Sequence, residues 1–357
     1  MSRFPQLFSP ATLGAVSLPN RVIMAPMTRS RAHTDGTVPD ICAVYFAQRA
    51  TAGLMITDAT MVSQQAVGYP NTPGMWTEAH MNAWQAVLTA VHDAGGRIAL
   101  QLNHVGRLAL PEYQPDHAMP IAPSPLPAGR VVMRGPTRKE EPAPAPRALE
   151  LTEIPGVVAQ FAAAARRARV VGFDAVEIHA ANGFLVDQFL RDGVNRRHDR
   201  YGGSPENRAR FLLEVTEAVA KVMGADRTGV RLTPLSSTND MRDSNPIVTF
   251  GTAVKLLAAL DIAWTHLGDM NDNDTTRRLR DAHGKPFILN GGFTAESAND
   301  AIKNELAVVV SFGATFLANP DLVERFRTGA ELNPADRSTF YEGGARGYID
   351  YPTLAAR

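Results

Sequence analysis

Eight short runs of apolar and β-branched residues recur along this chain, at Arg21–Met27, Ala52–Ala59, Arg97–Asn103, Ala175–Ala180, Thr228–Pro234, Ile262–Gly268, Pro286–Gly292 and Ala307–Gly313. Each is apolar throughout rather than alternating, which is the pattern of a strand covered on both faces. Segments with a 3.6-residue apolar period lie between them, among them Glu78–His92, Ile154–Val171, Pro205–Met223 and Val248–Leu260. Ser204-Pro205-Glu206 marks a helix start: a capping hydroxyl, a proline in the first turn, then an acid at the positive end of the dipole. Strand and helix alternating in this way predict an α/β fold, the (β/α)8 TIM barrel. A doubly wound sheet is the alternative, but it usually carries fewer strands, and no G-x-G-x-x-G turn follows any strand here. A length of 357 residues suggests about two domains. Barrels of this size are often a single domain, and one barrel domain over 1–357 is expected.

One segment interrupts the pattern. From Leu110 to Arg147 the chain spends ten of its 25 prolines and shows no helical period. It follows the third strand and so leaves the barrel at its C-terminal face, where barrel enzymes carry their chemistry. A loop this long inside a compact domain is usually functional or disordered, and 110–147 is expected to be an inserted capping loop.

Composition narrows the partners. Formal net charge is zero, which gives no electrostatic reason to expect nucleic acid or an anionic membrane. Cys42 is the single cysteine, so no internal disulfide or cysteine-based metal cluster is available, and a reducing cytoplasm is the expected setting. Met1–Gln6 lacks the apolar core of a secretory signal, and no run of 18 apolar residues is present. A soluble intracellular protein, monomer or homodimer, is expected.

In a barrel, polar residues at the C-terminal strand ends read as functional. Here those ends bring Thr28, the Ala59-Thr60 pair, Gln101, Asn103, His104, His179, Asn182, Arg231, His266, Asn290-Gly291-Gly292 and Gly313-Ala314. The glycines after strands seven and eight suit a phosphate held by backbone N–H groups, with Thr294 capping a helix behind them; two tight turns would also need glycine. Arg231, in an otherwise apolar strand, needs an anionic or accepting partner. A carboxylate such as Glu177 is one candidate, and a cofactor with a polar, electron-accepting edge is the other. His179 and Asn182 together offer two donors to one carbonyl oxygen, as enolate stabilisation requires. No H-E-x-x-H and no carboxylate at ligand spacing accompany them, so no metal is expected.

These motifs in order, Asn20–Ala32, Tyr45–Leu54, Ala99–Arg107, His179–Leu190, Asp199–Phe211, Phe312–Leu322 and Gly347–Leu354, resemble the old yellow enzyme family of FMN-dependent ene-reductases over nearly the whole chain. The resemblance implies bound FMN, with NAD(P)H as transient reductant, and hydride delivery from flavin N5 to an activated C=C bond. It places Pro26, Thr28, Ala59, Gln101 and Arg231 at the flavin ring, and Gly291, Gly292, Gly313 and Ala314 at its phosphate. His179 and Asn182 become the clamp on a substrate carbonyl, nitro group or phenolate, with Tyr69, Asn103 and Tyr351 also near the substrate.

Three positions depart from the family pattern. Phe184 stands where a tyrosine usually protonates the substrate α-carbon, Ala314 where an arginine usually clamps the phosphate, and Asn103 where many relatives carry tryptophan. The expected activity is reduction of enones, enals and nitro compounds. The alternatives are an FMN-dependent double-bond isomerase without net reduction, and a degenerate barrel that binds flavin or another ligand without turnover.

Overall fold

The computed structural model describes residues 3–129, 131–134, 139–270, 272–285 and 287–356. Eight parallel strands close a barrel: Val22–Met24, Leu54–Met61, Ile98–Asn103, Ala175–His179, Thr228–Leu232, Trp264–Leu267, Phe287–Leu289 and Ala307–Phe312. Each pairs with the next in sequence, and the eighth closes onto the first through Val310↔Val22 and Phe312↔Met24. The expected (β/α)8 barrel is the observed fold.

The helices form where burial demands them. Ile154–Val171 buries Ile154, Val157, Phe161, Ala164, Ala165 and Ala168, one stripe of a 3.6-residue period. It stops at Gly172, whose left-handed φ of 101° returns its N–H to the last turn. Pro205–Met223 starts where the Ser204 hydroxyl accepts from Asn207 N. A further long helix runs Pro246–Ala258, starting two residues before the apolar period, because Asn245 caps it and Pro246 takes its first turn.

Side chains fill the barrel. Ile23, Leu54, Ile56, Ala99, Ala175, Trp264, Ile288 and Val309 form a buried inner cluster. Leu13, Val16 and Leu18, from the hairpin Ala11–Leu13/Val16–Leu18, belong to the same cluster. Burying one such aliphatic side chain is worth roughly 1.5–3 kcal/mol.

The insertion after strand three holds two single turns, Pro111–Tyr113 and Pro115–His117, and no longer helix among the described residues. It also contains a parallel pair, Ile121–Ala122 with Arg147–Ala148, and an antiparallel pair, Val131–Arg134 with Lys139–Pro142. Positions 130 and 135–138 of the expected cap lie outside the described residues.

Candidate active site

The C-terminal mouth of the barrel opens into a cavity of about 450 Å³. Pro26, Met27, Thr28, Arg29 and Ser30 line it from beyond strand one, and Ala59 and Gln101 from strands two and three. His179, Asn182, Phe184 and Tyr69 form another wall, with Ala314, Leu317, Phe340 and Tyr341 completing the rim. Strand two shifts register between Ile56 and Ala59, and beyond the shift Ala59 pairs with Gln101. A bulge beside a site commonly re-aims side chains. Here the Thr57 hydroxyl accepts from Gln101 N at 3.0 Å, and Asp58 accepts from Arg29 N at 2.7 Å.

The turn after strand four is fixed from several sides. Asn182 and Gly183 both take left-handed backbone, with φ of 56° and 78°; asparagine and glycine tolerate this region. Asn182 N donates to Thr233 Oγ1 at 2.8 Å, and its carbonyl accepts from Asn239 Nδ2 at 2.6 Å. Gly183 N donates to Asp187, a carboxylate paired with Arg191 and fully buried. Phe184 then caps the helix Leu185–Leu190, its ring edge-on to His179 at 4.7 Å and to Tyr69 at 6.2 Å. The His179 ring is 5% exposed, and its Nδ1 has no partner among the described residues.

Beneath this wall lies a polar network. Gln101 Nε2 and Trp264 Nε1 each donate to Glu177 at 2.9 Å, and His266 Nδ1 contacts the same carboxylate at 2.9 Å. His266 Nε2 faces Arg231 Nη1 and, at 2.9 Å, the Ser311 hydroxyl. Arg231 Nη2 donates to Asn290 Oδ1 at 3.0 Å. Among the described residues Arg231 makes no direct ion pair with Glu177; His266 stands between them.

Burial pushes the imidazoles of His104 and His179 down to about 3 and that of His266 down to about 4, with Arg231 lowering the last two further. All three are neutral at physiological pH. In the unfolded chain they take up protons near pH 6.5. Between about 6.5 and 4 the unfolded state therefore binds more protons, and stability falls as the pH falls. Asp58, pushed up to about 6 by burial, works the opposite way, one group against three. Urea unfolding at pH 7 and pH 5 is expected to show a loss of roughly 1–3 kcal/mol per pH unit; a flat profile would contradict these burial assignments.

The remaining expected residues fall in three places. Gly291, Gly292 and Gly313 sit at the ends of strands seven and eight, beside Ala314. Asn103 is fully buried, its Nδ2 against Met61 Sδ and its Oδ1 without a partner. The Tyr351 hydroxyl accepts from Asp336 N at 2.9 Å, and Tyr351 is absent from the cavity wall. Thr238, Asn239, Phe340 and Tyr341, none of them at a strand end, also line the cavity. Arg29 and Arg31 bring Phe340 and Tyr341 there. Arg29 donates to the carbonyls of Phe340 and Gly347, and Arg31 to those of Thr339 and Gly344, which fastens the C-terminal segment over the mouth.

Residues 6–333 match the family model described as NADH:flavin oxidoreductase / NADH oxidase family. The chain belongs to this family. Among similar proteins, 12-oxophytodienoate reductase 2 of Arabidopsis thaliana is 42% identical over 360 residues, covering 98% of this chain and 96% of that protein. A structure of morphinone reductase in complex with tetrahydroNAD is 47% identical, with a TM-score of 0.94 and 98% of both chains covered. The old yellow enzyme homologue from Zymomonas mobilis is 41% identical, with a TM-score of 0.92, covering 98% of this chain and 100% of the other. Like these old yellow enzyme relatives, the chain is an NAD(P)H-dependent flavin oxidoreductase with FMN as cofactor.

The mouth of this family member fits FMN by its own geometry. The cavity lies within the usual range for a cofactor site, roughly 300–1,000 Å³. A Cβ built on Gly292 (φ 70°) would meet nothing within 4 Å, and one on Gly313 would meet only Met27 Sδ at 3.7 Å, so both backbones stand open to an anion. Among the described residues no group of three or more His, Cys, Asp or Glu side chains could hold a metal, and no helix is long and apolar enough to cross a membrane.

Proposed function

We propose that this chain reduces the C=C bond of α,β-unsaturated carbonyl compounds, with nitro compounds as further substrates. The observation that carries this reading is the presence of His179 and Asn182 on one wall of the cavity whose other walls are Thr28, Ala59 and Gln101. When bound, FMN supplies a hydride taken from NAD(P)H to an electron-poor carbon. Pro26, Thr28, Ala59 and Gln101 would hold the ring, Arg231 its electron-accepting edge, and Gly291, Gly292 and Gly313 the phosphate. His179 and Asn182 would polarise the substrate carbonyl and hold the enolate charge. Tyr69 is proposed to shape the substrate space, whereas Asn103 and Tyr351 stand outside the cavity wall. Purified protein kept under argon should lose its flavin absorbance on adding NAD(P)H and regain it on adding an enone. Bleaching without return would refute enone reduction.

The 110–147 insertion is proposed to cap this site. Arg107 supports the reading: its guanidinium donates to the carbonyls of Leu126 and Pro127 in the insertion and to those of Asn239, which lines the cavity, and its neighbour Asp240. The single, buried Cys42 fits work in the reducing cytoplasm.

Ala314 is exposed, lines the cavity and follows Gly313 directly, at the position where the family pattern has an arginine. Ala314→Arg is expected to tighten FMN by roughly ten- to hundred-fold, the worth of one charge-assisted hydrogen bond. Fluorescence titration of the apoprotein with FMN measures this directly; unchanged affinity would move the phosphate elsewhere.

A second reading, double-bond isomerisation without net reduction, draws on Phe184. With no hydroxyl at this position, a substrate that has taken up hydride keeps its enolate longer and has time to return the hydride after rearranging.

A further inference from the structure

Glu177 takes no part in the proposed chemistry, yet it accepts three hydrogen bonds inside the barrel. It is 0% exposed and receives Gln101 Nε2, Trp264 Nε1 and His266 Nδ1, each at 2.9 Å. Two glycines make room for this arrangement. A Cβ on Gly229 would lie 2.0 Å from the Trp264 indole, and one on Gly268 would lie 2.7 Å from Arg231 Nη2. Burial alone would raise the Glu177 carboxyl, but His266, Arg231 and the Trp264 hydrogen bond together hold it down at about 2. The neutral His266 ring thus joins a carboxylate to a guanidinium: Glu177 at Nδ1, Arg231 at Nε2.

One end of this chain of contacts lines the cavity, and the other stands next to a residue that does. Gln101, its amide nitrogen committed to Glu177, lines the wall and leaves its carbonyl oxygen for a ligand N–H. Arg231 pairs in register with His179, the cavity residue on the neighbouring strand.

We propose that Glu177 is a positioning residue that sets the reduction potential of the bound flavin, by countering the Arg231 charge through His266 and orienting the Gln101 amide. The inference rests on the proposed place of Arg231 beside the flavin. In a buried, weakly screened site, removing the carboxylate charge leaves the guanidinium field less compensated, with Asp269 as its remaining counter-charge, and this favours the more negative, reduced flavin. Removing a donor to the carboxylate does the reverse.

The test is the potential of the FMN-loaded protein, read by dye-equilibrated anaerobic reduction. Glu177→Gln is expected to raise the potential by about 30 mV or more, tenfold in the two-electron equilibrium. Trp264→Phe, which strips one N–H from the carboxylate, is expected to lower it, and this variant decides the matter if Glu177→Gln does not fold. A purely structural role would leave the potential of FMN-loaded protein unmoved in both, or move both the same way, and either result overturns the inference. Arg231→Met separates the two levels of the argument. If it lowers the potential while the Glu177 and Trp264 variants do nothing, the inference fails and the place of Arg231 stands. If Arg231→Met also leaves the potential unchanged, the place of Arg231 beside the flavin fails, and the inference with it.

Discussion

Phe184→Tyr is expected to raise the rate of enone reduction by pre-reduced enzyme by about 10²-fold or more, the usual contribution of a positioned general acid being 10²–10⁴. That is roughly 3–5 kcal/mol of barrier. The site is built to receive the hydroxyl. Phe184 lines the cavity, and its ring is held edge-on between His179 and Tyr69. Its backbone is fixed independently, Phe184 N donating to Ala181 O and Gln188 N donating to Phe184 O. One oxygen added to a cavity of about 450 Å³ meets no overpacking. Rapid mixing of reduced protein with a weakly activated cyclic enone measures the effect. An unchanged rate would mean that the proton already arrives fast from elsewhere and that Phe184 is not the missing donor.

Removing the clamp is expected to act in the opposite direction. His179→Ala and Asn182→Asp should each lower kcat/KM for enones by about 10²–10³-fold, as loss of a single oxyanion donor does. Their combination should fall short of the product, because both donors serve one oxygen. Aspartate is the informative change at 182, since the left-handed backbone there tolerates it while its oxygens accept where the amide donated. With the imidazole neutral, His179 can serve only with its proton on the nitrogen facing the cavity. Flavin absorbance should be retained in both variants. A clamp variant that loses FMN instead of activity would move His179 or Asn182 from the substrate to the cofactor.

Much of this was legible in the residues because burial on both faces leaves a strand no polar positions to hide in. The eight apolar runs located the eight strands, and the periodic stretches Ile154–Val171 and Pro205–Met223 coincide with the helices observed. His179, Asn182, Phe184, Thr28, Ala59, Gln101 and Tyr69, chosen as strand ends or by resemblance, line one cavity. Long-range fastening was not legible. Phe340 and Tyr341 reach the mouth because Arg29 and Arg31 bond to carbonyls some 300 residues away, as the Arg29–Phe340 separation of 311 shows. Backbone carbonyls leave no trace in a sequence. Glu177 was visible as a partner for Arg231, but the intervening His266 depends on side-chain geometry across three strands. In the 110–147 insertion the prolines announced irregular structure without revealing how Arg107 ties it to the cavity loop.

Stoichiometry tests the central claim most directly. Under argon, with an enone substrate in excess, NAD(P)H oxidised and saturated product formed should rise together, one for one. Product accumulating with only catalytic NAD(P)H consumed, and the double bond moved rather than removed, would contradict net reduction and establish the isomerase in its place.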